Sequence, residues 1–234
     1  MALADNGLDI IGGQAAQESD YKEIVRISCG AGPATGTIVG YQAILISAHM
    51  MPVNPARCRL SLFNGQVVEF TAYGLIESSA NLPSIDLAIG VLDKQLFNLT
   101  PATIGAGVSR GESLVIAGFG CTQPGGGGPL GDLHAGVAEM VQESRDDSKF
   151  ATRGSAVCFG DSGAPAYSVS RGGEPKVVGI AAAGNMRDQS WFVDLTRDDI
   201  RQRLLLAGQE HNVELCGLNS ACEAYSPDIQ EGQK

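Results

Sequence analysis

The stretch "CFGDSGAP", residues 158–165, sets Ser162 between two glycines with an acid directly before it. Gly, Asp, Ser and Pro are the commonest turn residues, so one reading is a plain surface loop. The same residues also suit chemistry. Attack on an acyl carbon needs a nucleophile, a base to take its proton, a group to orient the base, and donors for the developing oxyanion. Ser162 is a candidate nucleophile if the rest of the chain supplies the other parts.

The chain has three histidines: His49, His134 and His211. His49 ends the apolar run "ILISAHM" at 44–50, where a lone His is more often structural than reactive. Asp86 lies in "SIDLAIG" at 84–90, an acid at the edge of another apolar run, where burial is costly unless the carboxylate is paired. The order along the chain is therefore His49, Asp86, Ser162. His134 and His211 sit in polar context and are expected at the surface. Trp191 and Phe192 are expected in the core.

Outward from these residues, the chain reads as an all-β protein. Its 234 residues are enough for one large domain or two small ones, and 44% hydrophobic with 18% charged residues marks a globular chain. Short apolar, strand-forming runs alternate with turn signals: "YKEIVRISCG" and "ATGTIVGYQAILISA" in the first half, "ESLVIAGFG" and "PKVVGIAAAG" in the second. Asn64-Gly65 in "FNGQ" signals a hairpin. The "PGGGGPLG" at 124–131 reads as a flexible loop and lacks the Lys-Ser/Thr ending of a phosphate loop. One helix is expected over 196–207, with Thr196 and Asp199 as a capping box and Gly208 as its stop. The tail from 208 to 234 reads as an appendage.

The net charge of −10 argues against nucleic acid and anionic membrane surfaces as partners. No apolar run reaches the length of a membrane-spanning helix. Ala2-Leu3-Ala4 has the small-x-small pattern of a signal cleavage site, consistent with a trimmed secretory precursor. The six cysteines match no zinc pattern and read as three disulfides formed in an oxidising compartment. The acidic "RDDS" at 145–148 reads as a solvated loop. No set of oxygens for calcium can be assembled, and neither metal nor organic cofactor is expected.

Four motifs in order, "IIGG" at 10–13, "SAH" at 47–49, "DLAI" at 86–89 and "GDSGAP" at 160–165, resemble those of the chymotrypsin-fold (trypsin-like) serine proteases. The resemblance runs from residue 10 to about 207. It implies two antiparallel six-stranded β-barrels, about 10–106 and 107–195, with a C-terminal helix over 196–207. It implies Ser162 as nucleophile, His49 as general base and then acid, Asp86 as the orienter of His49, and the N–H groups of Gly160 and Ser162 as the oxyanion hole. It casts residues 1–9 as an extension or pro-segment, with the freed amine of Ile10 pairing with Asp161 after cleavage. The primary substrate pocket would be lined by Ala156, Val157, Ala182, Gly184 and Ser190. None is charged, so small or medium apolar residues are expected at the cleaved position. Asp188 would favour basic residues if the register shifted.

The chain departs from the family pattern in several places. The usual cysteine after the reactive His is Met50, and its partner position aligns with Thr35. Ala182 removes a hydroxyl that usually helps hold the acid, and Ala164 replaces a glycine. Within the resemblance, the expected disulfides are Cys29–Cys58, Cys121–Cys158 and Cys216–Cys222. The expected protein is secreted or periplasmic and monomeric, acting on protein or peptide substrates, with an activating protease as a further partner. Two alternatives stand beside this reading. One is a protein of the same fold that binds without catalysing. The other is a hydrolase with a nucleophile elbow, using Ser162, Asp194 or Asp198, and His211; it needs a helix directly after Ser162, where "PAYSVS" reads as strand.

Overall fold

A computed structural model of the chain describes residues 10–75, 85–143, 148–169 and 173–222. The "RDDS" segment lies almost wholly outside the described residues.

Among the described residues there are fourteen strands and one α-helix. The first barrel uses β2 (Ile24–Ser28), β3 (Pro33–Gly40), β4 (Ala43–Ile46), β5 (Ala56–Ser61), β6 (Val67–Gly74) and β7 (Ala88–Leu92), closed in the order β2-β3-β4-β7-β6-β5. Alternating burial along β5 and β6 shows why these residues make strands: one face fills the barrel and the other meets solvent. Val25, Ile27, Ile38, Ile44, Leu60 and Phe70 form its interior. The Asn64-Gly65 turn joins β5 to β6 as expected, with Gly65 at φ +80° and Asn64 Oδ1 accepting from the Gln66 N–H.

The second barrel uses β9 (Ser113–Gly118), β10 (His134–Glu143), β11 (Lys149–Gly154), β12 (Pro165–Ser168), β13 (Lys176–Gly184) and β14 (Gln189–Asp194). It closes through β9–β10 pairing. Two short strands extend it: β1 (Gln14–Ala15) pairs with β10, and β8 (Thr103–Ile104) runs parallel to β13. Leu114, Met140, Phe150, Val178 and Phe192 form its interior. Another apolar cluster, including Leu45, Leu87, Ile180, Leu195 and Leu204, draws on both barrels and the helix and binds them into one body. The two antiparallel six-stranded barrels and C-terminal helix match the expected all-β class.

The helix differs from its reading. It spans Asp198–Glu210, begins after Arg197 without a side-chain cap, and carries Asp198 and Asp199 in its first turn. Thr196 is not the cap: that position is held by Arg197, and the Thr196 N–H and hydroxyl both donate to Asp194 Oδ1, at 2.9 and 2.7 Å. Gly208 does not stop it either. Gly208 is buried within the last turns, and its missing side chain lets the returning chain pass close by, with the Val213 N–H donating to its carbonyl at 2.9 Å. Asn212, at φ +53°, turns the chain instead. Residues 213–222 are packed, with the Cys216 N–H donating to Val39 O and the Ile104 N–H donating to Cys216 O, both at 2.8 Å; the rest of the tail lies outside the described residues. The pairing Cys216–Cys222 closes this last loop. Cys29–Cys58 links the first barrel, and Cys121–Cys158 the second.

His134 is also not at the surface. It is covered where β10 lies between Ala15 of β1 and Gly118 of β9, and its ring Nδ1 bonds the Asp132 carbonyl. His211 is half-buried, stacked on Tyr73 with 3.9 Å between ring centroids. Phe192 is fully buried, whereas Trp191 keeps partial exposure.

Candidate active site

Strands β4 and β7 pair with Ile46 opposite Ala88. Three residues past Ile46 the chain reaches His49, in a short 3₁₀ turn over Ala48–Met50; two residues before Ala88 lies Asp86. Both therefore emerge at the same end of the first barrel. Asp86 Oδ1 accepts the His49 backbone N–H at 2.8 Å, and Oδ2 meets ring Nδ1 at 2.7 Å. The other ring nitrogen, Nε2, lies 2.8 Å from Ser162 Oγ, which the second barrel supplies. With Nδ1 protonated toward Asp86, Nε2 is left as an acceptor for the serine proton. The bond to Asp86 is the main influence on His49 and holds its pKa above the ordinary value, partial burial pulling the other way.

Gly160 takes φ +97°, a conformation that suits glycine, in a tight turn in which the Asp161 N–H donates to Cys158 O. The carbonyl of Phe159 is turned to the Cys121 N–H, at 2.9 Å. In a planar trans peptide the N–H points opposite to the carbonyl, so the Gly160 N–H faces away from Cys121. Neither it nor the Ser162 N–H donates to an acceptor among the described residues. The loop that carries Ser162 thus holds two amide donors without an acceptor among the described residues. A Cβ at Gly163 would run into the Thr35 carbonyl, so the first barrel presses directly on this loop.

A cleft of about 510 Å³ opens beside these groups. Of the expected pocket residues, Val157, Ala182 and Gly184 line it, joined by Ala183, Phe159 and Met186. Ala156 and Ser190 are fully buried and do not line it: Ser190 turns its hydroxyl to accept the Val157 N–H at 2.9 Å. Asp188 is exposed, bonded to Asn185 and 3.9 Å from Arg153, and is absent from the cleft wall.

Asp161 is fully buried. Its carboxylate accepts the N–H groups of Gly120 and Cys158, each at 2.8 Å, yet burial still pushes its pKa up to about 7. Ile10 is fully buried too, in the apolar cluster that holds Val157 and Ala164. Its φ of +45° is unusual for a β-branched residue, and no hydrogen bond joins it to Asp161 among the described residues. The sequence reading missed three hydroxyls that tie the barrels together around the site: Thr35 and Thr37 on β3, and Ser47 after β4. Thr37 Oγ1 donates to Gly163 O at 3.0 Å, and Ser47 Oγ to Ala181 O at 2.5 Å.

Paired barrels with a histidine bridging an acid and a serine at their junction define the chymotrypsin fold. A family model described as Trypsin matches residues 10–193, and the chain belongs to that family, the trypsin-like serine proteases. No curated relative matches the chain. Proteins of this family hydrolyse peptide bonds in protein or peptide substrates. No helix among the described residues is long and apolar enough to cross a membrane, and no cluster that could hold a metal occurs among them.

Proposed function

We propose that the chain is an active serine endopeptidase working through an acyl-enzyme. His49 Nε2 takes the Ser162 proton as Oγ bonds to the substrate carbonyl carbon. The carbonyl electrons move to the oxygen, which the Gly160 and Ser162 N–H groups receive. His49 then donates its proton to the departing amine as the C–N bond breaks. Water repeats the cycle on the ester and frees Ser162. Asp86 keeps the imidazole in the tautomer that accepts at Nε2 and stabilises the imidazolium. The single observation that carries this reading is the unbroken chain of bonds from Asp86 through His49 to Ser162. It favours catalysis over a protein of this fold that only binds, which has no need of a poised serine. A biotinylated peptide phosphonate should label the protein at Ser162. Absence of label from protein beginning at Ile10 would favour the binding alternative.

The same reading assigns activation to Ile10. Cleavage after Asp9 would replace an amide by an ammonium group, which can neutralise Asp161 and remove the unfavourable φ of Ile10. The apolar wall of Val157, Ala182, Ala183, Gly184 and Met186 supports cleavage after small or medium apolar residues. Three disulfides fit a secreted or periplasmic protein.

A further inference from the structure

We propose that Thr35 is a positioning residue for the oxyanion pocket, one residue of the first barrel that holds both donor-bearing residues of the second. The inference rests on the catalytic reading above. Thr35 is fully buried on β3. Its backbone N–H donates to Ser162 O at 3.1 Å, and its hydroxyl donates to Gly160 O at 2.8 Å. The same hydroxyl accepts the Phe119 N–H at 3.2 Å. An amide N–H can only donate, so the Thr35 oxygen must accept there, and its one proton is committed to Gly160. The hydroxyl thus has a single orientation.

Gly160 depends on such a hold because glycine is the least restrained residue. Two peptide planes flank it. The Cys121 N–H fixes the one before, through Phe159 O, and Thr35 fixes the one after. Ser162, two residues on, is fixed by the same threonine. The spacing between the Gly160 and Ser162 N–H groups is therefore set from across the barrel interface. A side chain of the same shape without the hydroxyl would keep the packing and lose that hold. The turn would then sample placements in which the two donors no longer converge on one oxygen. A misplacement of about 1 Å can cost ~10²-fold in rate, and outright loss of a donor ~10²–10³-fold.

The test compares wild type, Thr35→Val and Thr35→Ser, all beginning at Ile10. For Thr35→Val, kcat on a peptide ester should fall between about tenfold and 10²-fold with KM little changed. The affinity of a peptide aldehyde, whose hemiacetal oxygen uses the same donors, should fall by a similar factor. Thr35→Ser should restore both. Amide hydrogen exchange over residues 158–162 should be faster in Thr35→Val than in wild type. Unchanged kcat and aldehyde affinity in a folded Thr35→Val would overturn the proposal, as would unaltered exchange in the turn or failure of serine to restore function. A wild-type protein that takes no phosphonate label sinks the catalytic reading instead. Exchange in the turn then still decides whether Thr35 holds it.

Discussion

Asp86 grips His49 at two points, one carboxylate oxygen on the backbone N–H at 2.8 Å and the other on ring Nδ1 at 2.7 Å. The double contact fixes both the position of the 3₁₀ turn and the plane of the ring. Among the described residues both hydrogen bonds of Asp86 go to His49, so at this carboxylate the chain manages without the hydroxyl that Ala182 lacks. Asp86→Asn keeps the shape but presents an amide N–H where an acceptor is needed. The expected loss in kcat is about 10⁴-fold, read in a steady-state assay against wild type.

Ser162→Ala and His49→Ala should each remove about 10⁶-fold in kcat, because the members of such a unit fail together. Burst-phase acylation measures this directly. Near-normal turnover in either variant contradicts the assigned roles.

The pH profile should carry the mark of Asp86 on His49. His49 must be neutral to accept the serine proton, and its pKa is held above the ordinary value. Activity should therefore fall on acidification with a midpoint above the usual histidine value of about 6.5. A midpoint at or below that value, taken from kcat/KM against pH, counts against the bond to Asp86 in solution.

Asp161 predicts a pH-dependent difference between the full chain and a form beginning at Ile10. In the full chain the folded carboxyl keeps its proton up to about pH 7, above its ordinary value of 3.8. Between those limits the folded state binds more protons than the unfolded state. This group's contribution to stability is therefore greatest below about pH 4 and lost as pH rises through 7. A free Ile10 ammonium would reverse the trend by favouring the carboxylate. The melting temperature of the Ile10 form should gain on that of the full chain between pH 5 and 8. A difference that stays flat with pH rules out the ion pair.

The pocket gives a fifth expectation. Val157→Gly should widen the cleft and move a peptide-library profile toward larger apolar residues, since Val157 is part of the wall facing Gly184. A wild-type profile dominated by Arg or Lys would contradict the apolar wall.

The barrels and the residues of the site were readable where the signal is local. Alternating apolar runs mark strands, and "SAH", "DLAI" and "GDSG" are short words whose residues lie next to each other in the chain. Thr35, Thr37 and Ser47 left no such trace. Each sits in an apolar strand context, and its partner is more than 100 residues away, so the bond exists only after the barrels close. The helix was misplaced for a similar reason: Thr196 is tied to Asp194 and lies one residue before the helix cap Arg197, and Gly208 served a close chain crossing. His134 sits in polar sequence context, and the strands that cover it, β1 and β9, are brought beside it only by sheet pairing. Ala156 and Ser190 are fully buried instead of lining the cleft, and sequence order alone does not say which way a side chain turns.

The loop closed by Cys216–Cys222 touches β3 through Val39 and β8 through Ile104, so this loop works as a keystone set between two arches. Barrel one carries His49 and Asp86, and barrel two carries Ser162. A chain cut before Val213 should keep both arches yet let them rock. The loss should appear in kcat before it appears in the secondary structure seen by circular dichroism.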